Sequence, residues 1–330
     1  MLWSHKYNPL YDSENHIHDQ HVIQLKKLFG SHVMVYGASG VGKKTIVQLT
    51  LRSLGIETNL KKEVITIQNE KKEIDVIYHT SLRHVEILLT PYGNNEKYIV
   101  KYFINELSKY MTFDETGELT FKYVIVYHLE HITQTCQHLF SVFMDKYSNC
   151  SRFIFVTNSL NRITTAIQSR CMSYRIEPPP ENVLLALCKR ILTAEKSNVS
   201  KNVSMVQLKK IMSKELSIDD LLYTIQCKSM DMKNIFEDMI SEMAKCIVKN
   251  NAKQIREYTY IIIVNNMDAT YIIKELLHQL IPHCKGNRIL HEIVHLASMY
   301  EHRLLHCERV IYHLEAFTQT TSALFQQKEH

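Results

Sequence analysis

At 330 residues the chain is long enough for two or three domains, and an apolar fraction of 45% supports an ordinary packed core. The formal charge of +5 permits nucleic-acid contact through clustered lysines without requiring it, and no apolar run approaches the roughly 18 residues of a membrane span. Eight scattered cysteines, none in a C-x-x-C pair, favour reduced thiols over a disulfide framework or zinc knuckle, and MLWSHKYNPLYD carries no signal-peptide core, so an intracellular protein is expected.

In chain order, residues 2–9 read as an extended aromatic and proline segment. Residues 19–29 have helical spacing, with Val22, Leu25 and Leu28 on one face. They lead into residues 33–45, VMVYGASGVGKKT, an apolar strand, a glycine-rich loop and a helix start in that order. This is the P-loop pattern in its proper context. Gly37, Ala38, Ser39, Gly40, Val41 and Gly42 present backbone N–H groups to phosphate oxygens, and Lys43 reaches the β/γ-phosphates. The pattern asks for a hydroxyl directly after the lysine to ligate Mg²⁺. Lys44 stands there instead, and Thr45, one residue on, is turned away by roughly 100°.

Alternation in 63–68 and 73–78 predicts a hairpin at the edge of a sheet, turning at 69–72, followed by a short strand over 85–89. A helix from Asn94 or Asn95 to about residue 110 carries Lys97 and Lys101 near its start, either solvated surface or a phosphate contact. The strand 123–127 is where an active P-loop ATPase ends in an aspartate that holds Mg²⁺ and a glutamate that polarises water. Here Tyr127 and His128 take those positions, and Glu130, three residues on, is expected to face another loop. A helix over 134–147 and a buried strand over 152–158 follow, and Asn158 falls at the strand's C-terminal edge, in the ligand crevice of a parallel sheet. A short helix ending in Ser169-Arg170-Cys171, a strand over 172–176 and the triple proline 178–180 close the domain. Beyond 181 the chain reads as helical, with turns at 197–204, near 231 and at 285–287.

Several stretches together carry a family resemblance: Leu2-Trp3, Lys6-Tyr7 and Pro9, the P-loop with its Lys43-Lys44-Thr45 ending, Ser169-Arg170-Cys171, and the segments 300–304 and 311–317. Over nearly its full length the chain resembles the small subunits of replication factor C, the eukaryotic clamp loader of the AAA+ ATPases. The resemblance implies an α/β plus all-α protein: an AAA+ P-loop domain with a parallel sheet (1–176), a small helical lid (177–231) and a C-terminal helical collar (232–330). It implies ATP or ADP bound by the P-loop, Tyr7, Pro9 and Asn158. As partners it implies the other clamp-loader subunits in a hetero-pentamer, a sliding clamp and primer–template DNA, with no membrane. It makes Arg170 an arginine finger acting on a neighbour's ATP. The location implied is the nucleus, or a cytoplasmic replication site for a large virus. The sequence departs from the family at Asn8, where an arginine is usual, and in the lid, where Asp219 and Asp220 stand in place of a phosphate-binding arginine. With Lys44, Tyr127 and His128, the expectation is a nucleotide site that does not hydrolyse and has no proper Mg²⁺ ligands.

Three competing readings stand beside this one. An active P-loop ATPase or kinase needs an acid after the 123–127 strand. A zinc metalloprotease is suggested by His291-Glu292-Ile-Val-His295, an H-E-x-x-H pattern with Glu315 downstream as third ligand, in a chain with 18 histidines. A stand-alone DNA-binding protein would ask for a stronger basic patch. The apolar collar helices over 235–248, 271–280, 289–299 and 310–325 carry more apolar surface than one small bundle buries, so they are expected to pack against sister subunits.

Overall fold

The computed structural model describes residues 2–11, 17–56, 60–69, 72–107, 112–113, 119–195, 208–209, 211, 217–230, 235–265, 269–284, 286–304 and 309–326. The expected turns at 197–204 and near 231 lie outside the described residues, as do 70–71 of the hairpin turn, 108–110 and residue 285. Compact packing divides the chain into two units, Met1–Asp231 and Met232–His330.

The first unit is built on a seven-stranded sheet. Its strands are β1 (Val33–Tyr36), β2 (Lys61–Asn69), β3 (Lys72–Thr80), β4 (His84–Leu88), β5 (Lys122–Tyr127), β6 (Ser151–Thr157) and β7 (Met172–Arg175). The spatial order is β2-β3-β4-β5-β6-β1-β7, and every pair from β4 to β7 is parallel. The β2–β3 hairpin is antiparallel and sits at one edge, as its alternation predicts: Ile67, Val76 and Tyr78 are buried while Val64 and Ile77 point to solvent.

The central strands are apolar through their middles because both faces are covered, with Lys122, Ser151, Arg152 and Thr157 confined to strand ends. Met34, Val124, Val126, Phe153 and Phe155 pack on one face with residues of α4 (Glu96–Leu107) and α5 (Gln134–Lys146). Val33, Val35, Tyr123, Ile125, Ile154 and Val156 pack on the other with α2 (Asp19–Leu28) and α3 (Lys43–Ser53). A period of two sends neighbouring residues to opposite faces, so each strand feeds two cores. Lys97 and Lys101 lie exposed on α4.

One short helix, α1 (Trp3–Lys6), belongs to a different core. Trp3 is buried with Leu187, Cys188 and Ile191 of α7 (Glu181–Ala194) and Leu221, Leu222 and Ile225 of α8 (Ile218–Ser229). Its backbone N–H donates to Gln226 Oε1 at 3.0 Å. Lys6 and the Tyr7 hydroxyl both bond Glu195, itself buried. The short helix α6 (Thr165–Gln168) precedes β7.

The second unit holds α9 (Ile235–Val248), α10 (Ala252–Val264), α11 (Ala269–Leu280), α12 (Asn287–Leu304) and α13 (Val310–Gln326) around Ile240, Ile247, Ile262, Leu276 and Phe317. Ser322 Oγ donates to the Ile247 carbonyl at 2.8 Å, tying the last helix to the first. On α10, Tyr260, Ile261 and Val264 are exposed, and so is Tyr312 on α13.

Two buried histidines set an acid limit on stability. His18 lies beside Gly42 and His84 at the start of β4, and burial holds each at about 4 instead of 6.5. The unfolded chain therefore takes up a proton at each imidazole that the folded chain refuses. Stability present above pH 6.5 is lost as the pH falls toward 4, by up to a few kcal/mol per histidine. Urea midpoints at pH 7 and pH 5 read this directly, and the acid loss is expected to shrink in His84→Gln; an unchanged loss in that variant refutes the assignment.

Candidate nucleotide site and its surroundings

Because β1 lies between β6 and β7, the loop after β1 meets the C-terminal ends of β5 and β6 at the point where strand order reverses, the place where open parallel sheets bind ligands. Gly40 (φ +73) and Gly42 (φ +86) turn the loop through left-handed conformations before α3 begins. Lys43 is buried at the first position of that helix. Its ammonium donates to the carbonyls of Gly37 at 2.9 Å and Ala38 at 2.6 Å and to Asn158 Oδ1 at 2.7 Å. Burial lowers its pKa, opposed by the charge of Glu130. The structure thus brings together Lys43 and Asn158, two residues 115 positions apart. Val41 is buried, whereas Ala38, Ser39 and Lys44 are exposed and Thr45 is half-buried.

Two of the departures from the P-loop pattern meet in space. Lys44 Nζ sits 5.2 Å over the ring of Tyr127, a cation–π contact. Tyr127 itself is buried, and that burial, then the nearby Glu86 carboxylate, push its hydroxyl well above the ordinary range. Glu86 is buried too and accepts from Gln48 Nε2 at 3.1 Å. An ammonium on an aromatic face stands where a hydroxyl and an aspartate hold Mg²⁺ in active enzymes. The glycine loop and Lys43 fit a phosphate; Lys44 and Tyr127 do not fit the magnesium that accompanies it.

The lid closes on the same loop. Ser217 caps α8 by accepting from the Asp220 N–H at 3.1 Å, and the Ile218 N–H donates to the Gly40 carbonyl at 3.2 Å. Asp220 also accepts from Ser217 Oγ at 2.6 Å, so one of the two lid carboxylates serves the cap. Tyr7 packs at the lid core with its hydroxyl on Glu195, and Pro9, half-buried, follows it in a turn.

Glu130 does not simply face away. His128 takes a left-handed backbone (φ 57, ψ 48), and the turn Leu129–His131 that follows sends the Glu130 side chain inward. There it accepts from Thr157 Oγ1 at 2.7 Å at the end of β6. Burial acts to raise its pKa, but the nearby His128 imidazole, the Thr157 hydroxyl and the backbone N–H groups of Glu130 and Asn158 outweigh it and hold the group at about 2. Sequence reading named Glu130 but expected it to face another loop, and it did not single out His18 beside Gly42 or Ser217 beside Gly40. Only the backbone turn at His128 and the lid's position reveal them.

Arg170 lies elsewhere. Val33 pairs with Met172, so Arg170, just before β7, is level with the beginning of β1 and at the opposite end of the sheet from the P-loop. Its Nε donates to both oxygens of Asp145 at 2.9 and 3.0 Å, Nη2 to one of them at 2.8 Å, and Nη1 to the Ala166 carbonyl at 2.9 Å. Both side chains are exposed.

The H-E-x-x-H helix shows a different arrangement from that of a metalloprotease. His291 and His295 are exposed on α12, Glu292 pairs with Arg288 at 3.3 Å, and Glu315 pairs with Arg256 at 3.2 Å. The expected third ligand is engaged by an arginine.

Residues 236–329 match the family described as "Replication factor C subunit 3, C-terminal domain". The chain is 27% identical to replication factor C subunit 5 of Oryza sativa subsp. japonica, over 99% of its own length and 98% of that protein. It is 27% identical to replication factor C subunit 3 of Homo sapiens, over 99% of itself and 96% of the relative. A DNA polymerase III gamma subunit-related protein of Thermotoga maritima superposes with a TM-score of 0.50 at 13% identity, covering 94% of this chain and 99% of that one, which bears on the fold alone.

A P-loop after the first strand of a parallel sheet, a helical lid and a separate helical C-terminal unit define an AAA+ P-loop protein. Along nearly its whole length the chain resembles the small subunits of replication factor C.

Proposed function

We propose that this chain is a non-hydrolysing small subunit of a replication factor C-like clamp loader. It joins sister subunits in a hetero-pentamer that places a sliding clamp on primer–template DNA, in the nucleus or at a viral replication site. The division follows residues 1–176 as P-loop domain, 177–231 as lid and 232–330 as collar. The exposed Tyr260, Ile261, Val264 and Tyr312 of the collar supply apolar surface for a sister subunit. Lys97 and Lys101 on α4 offer cations to a DNA backbone.

The observation that carries the non-hydrolysing reading is Lys44 at 5.2 Å over the Tyr127 ring. Lys43, the glycine loop and Asn158 can hold the phosphates of ATP or ADP, but Lys44, Tyr127 and His128 occupy the positions of the hydroxyl and acids that hold Mg²⁺ and orient water. Nucleotide in this subunit acts as a structural plug between sheet and lid. Arg170 serves the adjoining subunit instead.

The isolated chain is therefore expected to release phosphate from ATP no faster than a buffer control. Steady-state release near one per second that disappears in Lys43→Ala would overturn the reading.

A further inference from the structure

The turn after β5 gathers three metal-binding side chains whose grouping the nucleotide reading does not use. Glu130 lies 3.6 Å from His128 Nδ1 and 3.9 Å from His131 Nε2, both measured to Oε1. The three donor atoms all fall within 4.8 Å of one another. The glutamate side chain is 5% exposed, and Oε1 is enclosed with no hydrogen-bond partner. Buried carboxylate oxygens are costly to leave without a donor, so this one calls for a cation. Its other oxygen is held by Thr157 Oγ1 at 2.7 Å, which fixes the carboxylate so that the unpaired oxygen faces the two imidazoles. Hydrogen-bonded ligands of this kind are what orient metal sites.

We propose that His128, Glu130 and His131 form a binding site for a divalent transition metal of the zinc class. The site occupies the segment where an active P-loop ATPase carries its magnesium-binding acids. Metal–ligand bonds of about 2.0–2.1 Å in tetrahedral array set neighbouring donors about 3.3 Å apart. The observed 3.6 and 3.9 Å close to that spacing with small side-chain rotations. The imidazoles are 52% and 43% exposed, so a metal has an entry path, and solvent supplies the fourth ligand. Magnesium, which takes oxygen ligands in octahedral array, is the wrong ion for two imidazoles, whereas zinc, nickel and cobalt suit them. The site stands apart from the H-E-x-x-H helix, where Arg256 already engages Glu315. It borders the nucleotide site, since the Glu130 charge acts on Lys43, but zinc uptake is read on the nucleotide-free chain, so its failure leaves the clamp-loader reading untouched.

The test is titration of the metal-free full chain with Zn²⁺ alone. One zinc is expected to bind, with affinity lowered 10- to 100-fold in His128→Ala and in His131→Ala and unchanged when His291 and His295 are both replaced by alanine. X-ray absorption at the zinc edge of the wild-type chain provides a second reading that needs no variant. It should show imidazole nitrogen and oxygen at about 2.0–2.1 Å. No zinc uptake, wild-type affinity in both histidine variants, or a thiolate shell at about 2.3 Å would each overturn the proposal.

Discussion

Arg170→Ala is expected to slow ATP hydrolysis at the adjoining subunit's site by about 10³-fold or more while leaving assembly intact. The direction of the effect follows from strand register. Met172 pairs with Val33, which puts Arg170 at the opposite end of the sheet from its own P-loop, exposed at the boundary of the first unit. A guanidinium there is out of reach of its own P-loop, so any phosphate it serves is one that another chain brings. In the free chain it is held by Asp145 through three hydrogen bonds, an arrangement that also pulls the Asp145 carboxyl below its ordinary pKa. The pair is open to solvent, its side chains 37% and 60% exposed, so a γ-phosphate can compete for the same planar fork. Lysine in place of Arg170 should restore little, since it offers a point charge without the fork. Asp145→Ala should leave the rate unchanged if the aspartate only parks the guanidinium. The measurement is single-turnover hydrolysis in a complex where only the neighbouring site is competent. A wild-type rate with Arg170→Ala removes the finger role and leaves Arg170 as a surface ion pair.

Gly40→Ala is expected to destabilise the first unit by about 2–5 kcal/mol, summing left-handed strain of ~1–2 with overpacking of ~1–3. At φ +73 an added Cβ falls 2.1 Å from Ser217 Cβ and 2.9 Å from its Cα, atoms that cannot swing aside. Relief requires moving the capped start of α8, which breaks the bond from the Ile218 N–H to the Gly40 carbonyl and loosens lid from loop. Gly55 is the control. It has nearly the same φ of +74 but nothing within 4 Å of its added Cβ, so Gly55→Ala should cost the strain alone. Urea midpoints of the two variants separate the terms, and equal losses would show that the lid does not bear on the P-loop.

Much of this fold is written locally. The apolar run before Gly37, the glycines and Lys43 declare strand, loop and helix without any tertiary information, and the alternation in β2 and β3 declares an edge hairpin. Lys44 and Tyr127, like His128, each depart from a short-range rule of the P-loop pattern, and each departure was legible by itself. Their contact was not, because it depends on β5 and β1 lying two places apart with β6 between them. Glu130, three residues past the acidic position, was expected to face another loop; the left-handed turn at His128 brings it inward to the end of β6 instead, and that turn is not legible in the sequence. Arg170 and Asp145 are 25 positions apart and meet because α5 ends where β7 begins. His18 read as one polar residue in a polar stretch; its burial against Gly42 comes from how α2 lies over the loop.

The indole of Trp3 has a consequence for synthesis. Its backbone partner, Gln226, comes 223 positions later, and the apolar side chains around it come from α7 and α8. At roughly 5–20 residues per second, a ribosome delivers that partner on the order of ten to forty-five seconds after the tryptophan. Throughout that interval the sheet can assemble beneath, but Trp3 has no native place to go. Trp3 emerges long before the helices that cover it and is therefore among the last side chains of the first unit to be buried, a piece of the chain that a chaperone's cover would protect during translation.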